Sequence, residues 1–160
     1  MNRQANSQSG EGKAKTVRKT FSRETSVSNI IQADPAIIWA LLTHASDFPR
    51  WNSTVTSMNG EIREGGTVEL KSILDDKRTF KLKVKELVPQ KRLVWGDAMG
   101  SRVYTLSQGS GGSTHFSMTE KIGGLLFPLF AGAIPSFDDV FERYAADLKK
   151  EAETIQESRK

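Results

Sequence analysis

Hydrophobic and polar positions change period three times along the chain. Ser26–Gln32 reads as a short strand. At Asp34 the pattern becomes helical: Asp34 stands as an N-cap, Pro35 takes the first helical position, and Ile37, Ile38, Leu41 and Leu42 follow at helical spacing. Ala45–Phe48 suggests a second short turn of helix, ended by Pro49. From Thr54 the period becomes two. Thr54–Ile62 and Thr67–Leu74 read as strands around a Glu64-Gly65-Gly66 turn, and Asp75-Asp76-Lys77 reads as the next turn. Arg78–Leu87 alternates most regularly, with Phe80, Leu82 and Val84 on one face and Lys81, Lys83 and Lys85 on the other. Beyond the Pro89-Gln90 break come Arg92–Asp97, Arg102–Ser107 and Thr114–Lys121, the last two joined across Gly109–Gly112. The C-terminus returns to helix. Ser136 can cap it, Asp138 and Asp139 suit its first turn, and Phe137, Val140, Phe141, Tyr144, Leu148 and Ile155 share one face to about Glu157. The order is strand, two short helices, about six antiparallel strands and one long helix, an α+β layout in one domain.

Composition narrows the function classes. At 160 residues, 37% hydrophobic and 26% charged, the chain suits one folded domain. It has no cysteine, and its two histidines, His44 and His115, are isolated, so no metal site and no cofactor are expected. No Ser/His/Asp constellation, nucleophile elbow or phosphate loop is visible. The longest apolar run, Ile122–Pro135, is too short to span a bilayer and is broken by Gly and Pro, so no stable membrane insertion is expected. With no secretory h-region at the start, a cytoplasmic protein is the expectation. Residues 1–20 carry five basic side chains against one acid, which accounts for the whole net charge of +4 and leaves residues 21–160 balanced. The stretch 1–20 therefore reads as a disordered basic tail and 21–160 as the domain. A nucleic-acid partner is not expected, because the Lys81, Lys83, Lys85 stripe lacks interleaved aromatics and belongs to a neutral domain.

Three stretches carry a resemblance. Ala33-Asp34-Pro35-Ala36-Ile37-Ile38-Trp39 and Phe48-Pro49-Arg50-Trp51-Asn52 resemble the opening of the START/Bet v 1-like superfamily, in particular its polyketide cyclase/dehydrase-like members. Val88-Pro89-Gln90-Lys91-Arg92-Leu93-Val94-Trp95 resembles a strand start of the same group, and the C-terminal helix matches in place and character. The resemblance covers about residues 22–157. It implies a helix-grip fold: a curved antiparallel sheet of six to seven strands wrapped around the long helix, with the two short helices closing one end of a cavity. It places Trp39 in the core, and it leaves Phe48 and Trp51 evenly balanced between core and cavity. It also places Gly123–Gly132 at the cavity mouth; the segment's glycines and apolar side chains suit a fixed lid or a gate for an apolar ligand, and interfacial membrane contact is disfavoured because no Lys/Arg cluster flanks it.

A cavity of that kind takes one parity of each strand and one helix face. Its expected wall is Leu70, Phe80, Leu82, Val84 and Trp95, then Tyr104, Phe116 and Met118. Phe48, Trp51, Phe127 and Phe130 are added from the flanking segments, and Phe137, Phe141 and Tyr144 from the helix. If the last hairpin turns near Gly109–Gly112, Tyr104 faces Phe116, Arg102 faces Met118, and Glu120 is diagonal to Arg102. The charged pair is then either a polar anchor inside the pocket or a pair of strand ends in water, and the rarity of buried charge favours water. These expectations point to an apolar or amphipathic small-molecule ligand such as a lipid, isoprenoid or polyketide-like compound. The alternatives are a cyclase/dehydratase-type enzyme using Glu120 or Asp97 as general acid or base, or a protein-partner module using residues 123–132.

Overall fold

The computed structural model describes residues 10–160. Eight strands form a single antiparallel sheet among them. β1 (Lys15–Arg18) lies at one edge beside β2 (Ser22–Ile31). It falls within the stretch that composition assigns to a tail, and it raises the strand count above the expected six to seven. The period-two signal is missing because its side chains stay mostly exposed. Order comes from elsewhere: main-chain pairing with β2, the Thr16 hydroxyl bonded to Thr25 and Asp138, and the Ala14 N–H donated to Glu142. Residues 1–9 of the expected tail lie outside the described residues.

α1 (Pro35–Thr43) begins as its sequence dictates, with the Asp34 carboxylate accepting from the Ala36 N–H at 3.0 Å. Ile37, Ile38, Leu41 and Leu42 are buried, while Trp39 is half-buried and packs on the rim of the core. A 3₁₀ turn (Ala45–Asp47) leads into α2 (Phe48–Trp51). Pro49 does not end a helix; it sits in the first turn of α2, where its missing N–H has no partner to lose.

β3 (Val55–Gly60), β4 (Thr67–Ser72), β5 (Asp75–Val88), β6 (Arg92–Gly96), β7 (Gly100–Gln108) and β8 (Thr114–Gly123) then run as a meander. β8 returns to pair with β2, which gives the order β1-β2-β8-β7-β6-β5-β4-β3. The polar Asp75–Lys77 stretch is the start of β5 and not a turn. The chain reverses at Ile73-Leu74, with Ser72 paired to Asp75. Leu74 packs back against the core, which favours an apolar residue at this reversal. Register shifts after Val55, Leu70 and Val84 bend these strands in the manner of bulges.

α3 (Phe127–Phe130) and a 3₁₀ turn (Ala131–Ala133) precede α4 (Asp138–Ser158), whose start is held by the Ser136 hydroxyl accepting from the Asp138 N–H at 3.3 Å. α4 packs against β2 and touches α1 and α2. Val140, Phe141, Tyr144, Ala145, Leu148 and Ala152 are its buried face, spaced as an amphipathic helix requires. This is the helix-grip layout: a curved sheet, a long helix in its concavity and two short helices at one end. The two halves of the helix differ. Ala145, Leu148 and Ala152 belong to a solid core, and the turn-and-a-half before them borders open space.

Candidate functional site

Between the sheet and the first half of α4 lies a cavity of about 390 Å³, a usual size for a small-molecule site. Strand parity supplies most of its wall. Leu70 comes from β4, Phe80 and Leu82 from β5, Trp95 from β6, and Ile122 from β8. α4 and the residue before it contribute Phe137, Val140, Phe141 and Tyr144, and the approach to α4 contributes Ala133, Ile134 and Pro135. Asp75, Arg78, Asp97 and Met99 are also part of the wall.

The polar centre is built on the β7–β8 hairpin. Gln108 pairs with Thr114, so five residues form the loop and the register lies two residues from the expected one. Tyr104 therefore faces Met118, and Arg102 faces Glu120 directly. The Arg102 guanidinium donates to Glu120 Oε2 at 3.0 Å. Only 17% and 21% of these side chains is exposed, so the pair belongs to the cavity wall and not to strand ends in water. That corrects the expectation drawn from the rarity of buried charge; each charge is tolerated because the other is within hydrogen-bond reach. Arg102 also reaches the Tyr104 hydroxyl at 3.5 Å, and its guanidinium carbon lies 5.0 Å from the Phe141 ring centre. Burial acts to lower the Arg102 pKa, but Glu120, helped by Tyr104, outweighs it and holds the group above its ordinary value.

Behind this pair, Tyr104 and Tyr144 stand with ring centres 5.8 Å apart. Burial raises both hydroxyls above the ordinary tyrosine range; Arg102 pulls Tyr104 back in part, while Tyr104 pushes Tyr144 further up. The Tyr144 hydroxyl and the Arg102 Nε are buried without a hydrogen-bond partner among the described residues.

A second arginine holds the cavity's cover. Arg23, 4% exposed, donates to the carbonyls of Ile134 at 3.2 Å and Pro135 at 2.8 Å. Its guanidinium carbon lies 4.6 Å from the Phe137 ring centre. Phe137 and Phe141 lie 6.0 Å apart at 8° to each other, so a continuous stack runs Arg23, Phe137, Phe141, Arg102 from the cover to the polar centre.

Nine of the sequence-derived candidates meet at this cavity: Leu70, Phe80, Leu82, Trp95, Glu120, Phe137, Phe141, Tyr144 and Asp97. Val84, Tyr104, Phe116 and Met118 have the right parity but are fully buried behind the wall. Parity selects a face of the sheet; how α4 sits on that face decides whether a position meets space or side chain. Phe48 and Trp51 are core residues that pack against Tyr144, with ring centres 6.4 and 5.8 Å from it. Phe127 is buried and Phe130 half-buried, in contact with each other outside the cavity wall. Asp97 shapes the β6–β7 turn, accepting the N–H groups of Met99 at 2.8 Å and Gly100 at 3.1 Å. Sequence reasoning left out Ile122, though it continues the Phe116, Met118, Glu120 parity. Ile134 and Pro135 had no periodic signal to reveal them.

Among the described residues, no helix is long and apolar enough to cross a membrane, and no three His, Cys, Asp or Glu side chains gather as metal ligands would. His115 is exposed, as its parity implies.

The fold recurs in solved structures. A conserved protein of unknown function from Enterococcus faecalis superposes with a TM-score of 0.66 at 18% identity, over 92% of this chain and 81% of that one. A START superfamily protein from Mycobacterium smegmatis gives 0.62 at 13% identity, over 82% and 98%. CalU16 from Micromonospora echinospora gives 0.57 at 17% identity, over 91% of each chain. These likenesses establish the START-like fold. No curated protein matches the chain significantly. The family described as Activator of Hsp90 ATPase homolog 1-like protein matches residues 32–153, which takes in every element from α1 to most of α4. The chain belongs to the Activator of Hsp90 ATPase homolog 1-like family, within the START/Bet v 1-like superfamily.

Proposed function

We propose that this protein binds an apolar or amphipathic small molecule, of the lipid, isoprenoid or polyketide-like kind, in the cavity between sheet and α4. The observation that carries the reading is a mainly apolar wall with one polar centre, Arg102–Glu120 beside the tyrosine pair, set inside it. Burial of the ligand against Phe80, Leu82, Phe137 and Phe141 supplies affinity, and the polar centre supplies orientation. The START-like neighbours support a binding role at the level of the fold. We place the protein in the cytoplasm, which fractionation of the native host tests directly. Native mass spectrometry of protein purified from that host tests the binding role. A discrete added mass is the expected result. Bare protein that also fails to respond to a panel of lipids and polyphenols overturns the reading.

An enzyme of the cyclase or dehydratase kind is the second reading, favoured by the presence of both candidate carboxylates, Glu120 and Asp97, at the cavity wall. Each is partly engaged, Glu120 through Oε2 with Arg102 and Asp97 through Oδ1 with its own turn, so catalysis would have to use the other oxygen of either group. Incubation of the co-purified compound with the protein separates the two readings. Recovery unchanged indicates a carrier; a change of mass indicates catalysis.

A further inference from the structure

Three leucines beside the cavity stand in water. Leu125 is 87% exposed, Leu126 65% and Leu129 82%, on and just before the short helix α3. Phe127 anchors that helix by turning inward. Two main-chain hydrogen bonds join further exposed apolar residues to the same tip. The Gly123 N–H donates to the Met99 carbonyl at 3.0 Å, and the Gly124 N–H to the Phe21 carbonyl at 3.1 Å. Phe21 is 52% exposed and Met99 38%. Leaving so much contiguous apolar surface in water is costly, and patches of this kind mark contact surfaces.

Sequence neighbours offer this tip no basic cluster. The fold assembles one. Lys85 and Lys121 line a shallow groove together with Phe21, Met99, Gly123 and Gly124. Arg18 and Lys19, both exposed, lie in the tight β1–β2 reversal that carries Phe21. Against these four cations stand Glu24, cross-strand from Lys121, and Asp97, whose carboxylate is held by its turn. The surface is thus an apolar tip inside a net-positive rim. Asp97, Met99 and Gly100 border both this groove and the cavity, so the tip adjoins the cavity's edge.

We infer that this end of the molecule docks on an anionic lipid surface, with Leu125, Leu126 and Leu129 entering the headgroup boundary and Lys85, Lys121, Arg18 and Lys19 facing the phosphates. Apolar insertion and basic attraction act together at such interfaces, and neither alone holds a protein firmly. The docked orientation points the cavity's edge toward the bilayer, so an apolar ligand passes between membrane and cavity without crossing water. The docking itself is independent of what the cavity holds.

The test is co-sedimentation of the full chain with large unilamellar vesicles, of phosphatidylcholine alone and with about 30 mol % phosphatidylglycerol. Expected is binding to the anionic vesicles, weakened by raising salt from about 0.05 to about 0.5 M. Replacing Leu125→Asn, Leu126→Asn and Leu129→Asn together should weaken it about tenfold or more with an unchanged melting temperature, since these side chains contribute little to the core. Lys85→Glu with Lys121→Glu should remove the preference for anionic over neutral vesicles. The inference is overturned if the wild-type chain stays in the supernatant with anionic vesicles, or if the leucine variant binds as the wild type does. It is also overturned if light scattering shows a concentration-dependent dimer that the leucine variant abolishes, which assigns the tip to a second copy.

Discussion

Tyr104 and Tyr144 are the only tyrosines in the chain, and the fold puts them together under Arg102. That makes the polar centre unusually easy to observe, because the phenolate absorbance reports on this pair alone. Both hydroxyls are held above the ordinary range, so the native protein should show no phenolate step near pH 10, where the unfolded chain titrates. A native-state step at the ordinary position would mean that the pair is open to water. The sign of the linked stability follows. A raised folded pKa means the neutral form is favoured by folding, so the contribution is complete below about pH 10 and is lost progressively as pH rises from there through the raised folded pKa. Denaturant unfolding between neutral and alkaline pH should show this loss, and Tyr144→Phe should reduce it. Because the Tyr144 hydroxyl has no hydrogen-bond partner among the described residues, the same variant should unfold at neutral pH with a midpoint unchanged or slightly raised. Glu120 is legible as a site candidate from parity alone. Its direct pairing with Arg102 is not, since a two-residue change in loop length moves every partner along the hairpin.

At the scale of elements, the cover over the cavity depends on one side chain. Arg23 belongs to β2, yet it holds the carbonyls of Ile134 and Pro135 in the segment before α4. Arg23→Ala should cost about 2–3 kcal/mol in unfolding free energy, the size expected for hydrogen bonds from a charged donor. It should also accelerate hydrogen exchange in the α3–α4 segment. Equal exchange in both proteins would show that the clamp does not hold the cover. The β6–β7 hairpin rests on a close approach. A Cβ on Gly96 would lie 2.2 Å from the Gly100 carbonyl oxygen and 2.9 Å from Ser101 Cα. Gly96→Ala must therefore push β7 away from β6. Its effect should appear as a lowered melting temperature together with a shifted Trp95 fluorescence maximum, because Trp95 is the preceding residue and part of the wall. The apolar reversal at Ile73-Leu74 belongs to this scale too. Turn chemistry pointed to Asp75–Lys77, and the packing of Leu74 decided against it.

For the whole molecule, α4 divides stability from binding. Leu148 is fully buried in the solid half of the core, so Leu148→Ala should cost about 2–5 kcal/mol. Phe137 lies on the cavity side, half-buried, and its truncation enlarges a space that already exists. Phe137→Ala should thus destabilise less than Leu148→Ala and weaken ligand binding more. Chemical denaturation of both variants, with titration of whichever compound co-purifies, checks the pair. The reverse ranking in both measurements would mean that the cavity is a packing defect and not a binding site.

The sequence by itself determined the layout. Period two from Thr54 onward, period 3.6 from Phe137, the capped Asp34-Pro35 start and the Gly-rich turns are local signals, and local hydrogen bonding and side-chain direction are sufficient to place those elements. Parity also selected the face from which the cavity wall is drawn. What remained belongs to distances between elements. β1 carries no periodic signal because its order comes from pairing with β2 and from contacts to α4. Phe116 and Met118 share a face with Glu120, yet the first two are packed solid and the third borders space. The basic rim around Leu125, Leu126 and Leu129 is gathered from three places in the chain. Tertiary structure decided these points, because space and charge density are set by where separated segments meet, and a linear pattern records only the neighbours along the chain.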